Sequence, residues 1–323
     1  MNTQDVMPEA AVLDDIKADI AAYEAGRRAR ELKARWGLPL SFALLALVVY
    51  FVGHVLNANS DARELWTSPL HVYLYFAALV VAAIFWFVLK VPARRSRNHD
   101  RLRLFPSIFR FVDDYRYTPG TAPETFDRLP RELVGSFNKQ SFDDVMSGTY
   151  RGFPFELFEA HLIQKEAGQE ATAFAGAGLV FEAREPFPGL LIAGLQTPKT
   201  VGFLRGLFGP KSLEEVKSGV AALDKDYIFR TDNPEAAQRL VAGPLAQALQ
   251  WLGSAWPDGK ALVALQGGDA FVLLPSTSDF FQLPPDGAPL RFEQDVRPMI
   301  VEFLVMLETA KLLRRIGSAD GSE

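Results

Sequence analysis

The residues of this chain best placed to do chemistry are Glu159 and His161. They lie two apart in Thr149 to Gln164 (TYRGFPFELFEAHLIQ), an aromatic-rich stretch that reads as a strand, where alternate residues share a face. A carboxylate beside an imidazole can begin an acid-base pair or a metal site, while Glu156 falls on the other face. A hydrogen-bonded histidine at a strand end explains the same spacing. The other histidines are His54, His71 and His99, so the pair has no second imidazole close in sequence and no metal site is assigned. Glu159 and His161 stand as catalytic candidates.

A second candidate is the loop GFLRGLFGPKS, Gly202 to Ser212. It resembles a phosphate loop, but such a loop needs glycine directly before Lys-Ser, and Pro210 removes a backbone donor there. Nucleotide binding is therefore not expected, and no cofactor is assigned. Phe203, Leu204, Arg205, Leu207, Phe208 and Lys211 instead make an apolar, basic loop suited to touching a bilayer or a partner protein. The alternative is a glycine-punctuated turn whose aromatics join the core.

Other constellations carry less. His54 and His71 fall at corresponding ends of two apolar runs, but two imidazoles without a carboxylate make a poor metal or haem site. The acidic pairs Asp113-Asp114, Asp143-Asp144 and Glu214-Glu215 are sequence neighbours; on a helix neighbours diverge by about 100°, so they read as solvated faces. No Gly-x-Ser-x-Gly elbow supplies an activated serine.

Composition narrows the classes further. The 323 residues are 49% hydrophobic and 23% charged, too apolar for a disordered chain. The absence of cysteine excludes disulfides, thiolate metal sites and cysteine nucleophiles. The net charge of -5 argues against nucleic acid as a partner. That charge is uneven: residues 1 to 103 hold 13 Lys/Arg and 10 Asp/Glu, a net of +3, which leaves -8 on the remainder.

The positive segment holds two apolar runs without a charged residue, Leu38 to Leu56 and Leu70 to Leu89. About 20 helical residues cross a bilayer, so both predict transmembrane helices, with Trp36, Trp66, Tyr73 and Trp86 as interfacial aromatics. Arg27, Arg28, Arg30, Lys33 and Arg35 precede the first run, and Lys90, Arg94, Arg95, Arg97, Arg101 and Arg103 follow the second. The positive-inside rule then places both termini in the cytoplasm of a multi-pass protein. Before the runs, Val12, Ile16, Ile20 and Tyr23 form a helical stripe that requires a partner surface.

After the runs, helices are expected over Arg101 to Tyr115 and Pro123 to Phe137. Strands follow at Thr149 to Gln164 and Thr172 to Ala183, paired as a hairpin, and at Gly189 to Gln196 and Asp226 to Arg230. Asn233-Pro234 starts a helix that Pro244 kinks or divides. Gly267-Gly268 suits a hairpin turn between Lys260 to Gln266 and Ala270 to Leu274. Val296, Ile300, Phe303, Leu307 and Ala310 stripe a last helix ending near Arg314 and Arg315.

The expected fold is an α+β cytoplasmic domain with a mainly antiparallel sheet, preceded by a two-helix transmembrane hairpin. Its parts are a basic amphipathic helix (1–37), the hairpin (38–92), a juxtamembrane helical segment (93–140) and the α+β domain (141–323). The two runs, the basic helix and the stretches YRGFPFELFEAHL (Tyr150 to Leu162), LDKDYIFRTDNPEAAQRLV (Leu223 to Val241) and GGDAFVLLP (Gly267 to Pro275) together resemble a bacterial membrane-protein family, domain of unknown function 3137. The resemblance implies that architecture and a bacterial inner-membrane setting, and carries over no catalytic residue. The expected function is a membrane-tethered scaffold or protein-binding domain, its partners the lipid bilayer and another protein or its own copies. The alternative is a membrane-associated hydrolase or lipid-modifying enzyme.

Overall fold

The computed structural model describes residues 7–58, 72–73, 75–84, 96–166, 169–195, 213–256, 259–276, 279–285 and 288–314. The chain divides into two units, one of Met1–Asp14, Phe105–Leu283 and Arg291–Glu323, the other of Asp15–Leu104 and Pro284–Leu290.

The smaller unit is dominated by one helix, α1 (Ala10–Ala58), which runs through Pro39 without interruption. Of its predicted stripe, Ile16 and Ile20 are buried and Val12 and Tyr23 half-buried. Glu24, one turn on, joins that buried row. Its carboxylate takes the Arg27 guanidinium at 2.8 Å and accepts the Leu290 N–H at 2.9 Å, tying the 284–290 segment to α1. Burial pushes the Glu24 carboxyl up, but the Arg27 and Leu290 hydrogen bonds outweigh it and hold the group below its usual range.

Among the described residues no helix is long and apolar enough to cross a membrane. This overturns the expected transmembrane hairpin, and with it the multi-pass inner-membrane location and the membrane character assigned from the apolar runs. A span needs about 20 consecutive apolar residues.

The larger unit contains the sheet, and it is α+β and antiparallel as expected. After α2 (Ser96–Ile108) come β1 (Asp113–Tyr117), a 3-10 turn at Phe126–Arg128 and the short α3 (Arg131–Val134). Then follow β2 (Lys139–Tyr150), β3 (Phe153–Glu166), the long bent β4 (Gln169–Leu195), β5 (Glu214–Val216), α4 (Ala221–Asp226) and β6 (Tyr227–Thr231). The chain ends with α5 (Pro234–Val241), α6 (Pro244–Ala255), β7 (Leu262–Pro275) and α7 (Arg297–Arg314). The described strands form a seven-stranded sheet in the order β1-β2-β3-β4-β6-β5, with β7 also on β4.

Several local expectations hold. The predicted hairpin is β3 against β4, closing from Glu166 opposite Gln169. Asn233 caps α5 by accepting the Ala236 N–H at 3.2 Å, and Pro244 divides the helical stretch into α5 and α6. The stripe Val296, Ile300, Phe303, Leu307 and Ala310 is fully buried.

Others change. The helix over Arg101 to Tyr115 stops at Ile108, and the chain turns into β1, where Asp114 adopts a φ of 52°. The second predicted helix shrinks to the 3-10 turn and α3. Gly267-Gly268 makes no hairpin: β7 runs on through it and pairs with β4 on both sides. The positive φ of Gly267 (55°) serves a bend that follows the register shifts of β4 near Phe187, the use of glycine at a bulge.

Both faces of the sheet are covered. On one, Phe126, Leu129, Leu133 and Val134 pack with Phe142, Phe158, Ala160 and Phe271. On the other, Phe303 of α7 meets Phe155 at 5.7 Å and Phe109 at 4.5 Å between ring centres. Side chains of β3 therefore alternate between two interiors: Phe155, Leu157 and Glu159 on the α7 side, Glu156, Phe158 and Ala160 on the other.

Candidate functional site

Glu159 is 5% exposed, an unusual setting for a carboxylate. The Phe280 N–H donates to its Oε1 at 2.6 Å, so a loop following β7 reaches across to it. His161, on the same strand face, lies beyond the covered part and is exposed; its Nε2 is 3.8 Å from the exposed Asp143 Oδ2. The two candidates thus take different partners in different surroundings, and their shared face does not make a shared site. Glu156, on the opposite face, accepts the Glu124 and Thr125 N–H groups at 3.0 and 2.8 Å and ties down the loop that leads to Phe126.

What the structure does bring to Glu159 is Asp144. In the β2–β3 ladder Phe142 opposes Ala160 and Val145 opposes Phe158. Two residues of β2, Asp143 and Asp144, therefore stand against the single Glu159, a β-bulge. The bulge splits the acidic pair, leaving Asp143 outside and Asp144 fully buried. Asp144, Glu159 and the exposed Asp279 each place a carboxylate oxygen within 4.8 Å of the others. The Tyr117 hydroxyl donates a short hydrogen bond to Asp144 Oδ1, and the Phe281 N–H donates to Asp279 Oδ1 at 2.9 Å.

Aromatic rings pack against Tyr117, the residue that holds Asp144. Phe105 packs on Tyr117 at 4.8 Å, Phe109 on Tyr115 at 5.6 Å, and both phenylalanines on Phe281 at 6.3 and 6.0 Å. The Tyr115 hydroxyl is buried and has no hydrogen-bond partner. Its pKa is pushed well above the ordinary phenol range by burial first, then by the neighbouring Tyr117 and Asp144. Tyr115 lies in a β1 irregularity between Asp113, opposite Thr149, and Arg116, opposite Ser147. The facing Gly148 has room for no side chain there, since a Cβ would stand 2.5 Å from Val112 and 2.9 Å from the Asp113 carbonyl oxygen.

The sequence does not reveal this cluster, because Asp143 and Asp144 are neighbours of the same type and nothing local tells the buried acid from the exposed one. The local signal is the acidic pair itself, inside a polar stretch that folds as β2. The apolar loop Phe203, Leu204, Arg205, Leu207, Phe208 and Lys211 lies outside the described residues, as does His71. His54 is exposed on α1, its ring 6.2 Å from that of Tyr50.

A different surface feature belongs to α1. Leu40, Leu44, Leu47 and Phe51 are each more than 60% exposed, at spacings of four, three and four residues along one side of the helix. No charged residue occurs between 39 and 55.

No protein-family model matches the chain, and no curated protein does. Among solved structures, the chain is similar to the crystal structure of the mycobacterial trehalose monomycolate transport factor A, TtfA. That likeness has 13% identity, covers 60% of this chain and 88% of that one, and has a TM-score of 0.34, too loose to carry fold or function across.

Proposed function

We propose that this protein is a non-catalytic scaffold that associates with a second copy of itself through α1. One observation carries the reading: the exposed row Leu40, Leu44, Leu47 and Phe51 has the alternating four-three spacing of a helix-pairing seam. An uncovered apolar surface of this kind marks an interaction site. A charge-free contact favours a like partner, because interfaces between identical subunits are the more apolar ones. The family resemblance supplies no activity to set against this. The hydrolase alternative rested on Glu159 with His161, and their separate surroundings lend it no support.

The natural absence of cysteine makes the test clean. Full-length Leu47→Cys should cross-link to twice the chain mass under mild oxidation, while Val49→Cys, on the opposite side of α1, should not. Equal cross-linking at both positions, or at neither, overturns the reading. So does a chain of single mass that becomes protected only on adding lipid vesicles, since lipid would then be the cover.

A further inference from the structure

The two sides of α1 are used differently. With about 100° between successive helical residues, Phe42, Leu45 and Val49 continue the side on which Ile16, Ile20 and Glu24 are buried. All three are half-buried, so contacts within the chain occupy that side. The row Leu40, Leu44, Leu47 and Phe51 lies on the other, and Trp36 and Val55, 67% and 45% exposed, extend it at its two ends. The steps along these six residues are four, four, three, four and four. They read the same in both directions, about a midpoint between Leu45 and Ala46. A row with that symmetry meets its own copy in register when two helices run in opposite directions.

We infer that two copies of α1 pair antiparallel about a two-fold axis beside Leu45 and Ala46, an inference that rests on self-association through α1. Trp36 then faces Val55 of the second copy, Leu40 faces Phe51, and Leu44 faces Leu47, each contact being made twice. Large side chains meet smaller ones along the whole seam, as close packing requires. A parallel pair in register would set Trp36 on Trp36 and Val55 on Val55, crowding one end and underfilling the other.

Charge selects the same orientation. Residues 24 to 35 hold Arg27, Arg28, Arg30, Lys33 and Arg35 against Glu24 and Glu31, a net of +3. Parallel helices packed about 8–10 Å apart would set two such stretches side by side, within about one Debye length at physiological salt. Antiparallel pairing sends them to opposite ends. At about 1.5 Å per residue, even Arg35 stands about 30 Å along the axis from its counterpart, where salt screens the repulsion. A two-fold contact is also closed, because both copies use the same surface, so assembly ends at two chains.

Single cysteines in the full chain, which has none of its own, separate orientation from association. Leu47 stands only about 4.5 Å along the axis from its copy in the antiparallel pair, so Leu47→Cys should link in either orientation. Leu40 and Phe51 stand about 16 Å from their own copies there, beyond the roughly 7 Å between Cα atoms that a disulfide spans. Leu40→Cys and Phe51→Cys, each oxidised alone, should therefore stay at single mass. An equimolar mixture of the two, one carrying a larger tag, should give a product at the summed mass. Self-linking of either variant alone, with no product from the mixture, means parallel pairing and overturns the inference. Linking of Leu47→Cys with no product from the mixture overturns it too, but leaves self-association standing; a Leu47→Cys chain that does not link removes both. Species heavier than two chains in sedimentation would also overturn the closed two-fold pair.

Discussion

Glu308, buried in α7, accepts a hydrogen bond from the Tyr150 hydroxyl at 2.9 Å, joining the end of β2 to the last helix. The Arg151 guanidinium meets the same Oε1 at 2.6 Å and Lys311 reaches Oε2 at 3.2 Å. A buried carboxylate is thereby held by two cations and a phenol, and the β2–β3 turn is fastened to the helix that covers the sheet.

Removing the acid should cost much more than removing one of its outer partners. Glu308→Ala strands the Tyr150 hydroxyl and opens a void, and should lower stability by about 3 kcal/mol. Arg151 is half exposed, so Arg151→Ala should cost under about 1 kcal/mol, with Lys311 still in place. Urea unfolding of the three proteins would show it; equal losses would mean that the arginine, and not the acid, is the fastening.

Stability should decline at alkaline pH for an identifiable reason. The Tyr150 hydroxyl is pushed far above its ordinary value by burial, then by the Glu308 charge and hydrogen bond; Tyr227 is pushed up to about 12 by burial, then by Asp226. In the unfolded chain both phenols ionise near pH 10. Above that pH the unfolded chain releases protons the folded one keeps, so these groups stabilise fully below pH 10 and their contribution falls as pH rises. Tm measured from pH 8 to 12 should bend downward near 10, and Tyr227→Phe should soften the bend between 10 and 12. An unchanged curve in that variant would dismiss Tyr227 as a source.

Two glycines of β4 should differ sharply on gaining a methyl group. Gly176 has a φ of 143°, and a Cβ there would stand 2.1 Å from the Leu274 carbonyl oxygen of β7. Gly176→Ala should destabilise by about 3 kcal/mol or more, through strain and a clash with backbone that cannot yield. Gly194 has nothing within 4 Å of the same position, so Gly194→Ala should shift stability by under about 0.5 kcal/mol. Thermal unfolding of the pair decides it, and similar Tm values would contradict the packing of β4 on β7.

Much of the local structure was legible before any tertiary contact was known. The Asn233-Pro234 start, the break at Pro244, the β3–β4 pairing and the α7 stripe each depend on interactions within a few residues or on a single repeated period. Strand β2 was missed because its charged and polar residues, Lys139 to Ser141 and Asp143-Asp144, hide the alternation that marks a strand. Gly267-Gly268 was misread because a positive φ suits a hairpin turn and a bent continuous strand equally well, and only the partner strand chooses between them.

Sequence by itself determined an antiparallel α+β fold without thiol chemistry, since composition, periodicity and helix caps act along the chain. Tertiary structure decided the candidate site. Glu159 and His161 are two residues apart yet part company, whereas Asp144, Glu159, Asp279 and Tyr115 come from four separate segments. The physical reason is the bulge: one extra residue in β2 reverses which acid faces inward, and that shift exists only once β2 is paired with β3.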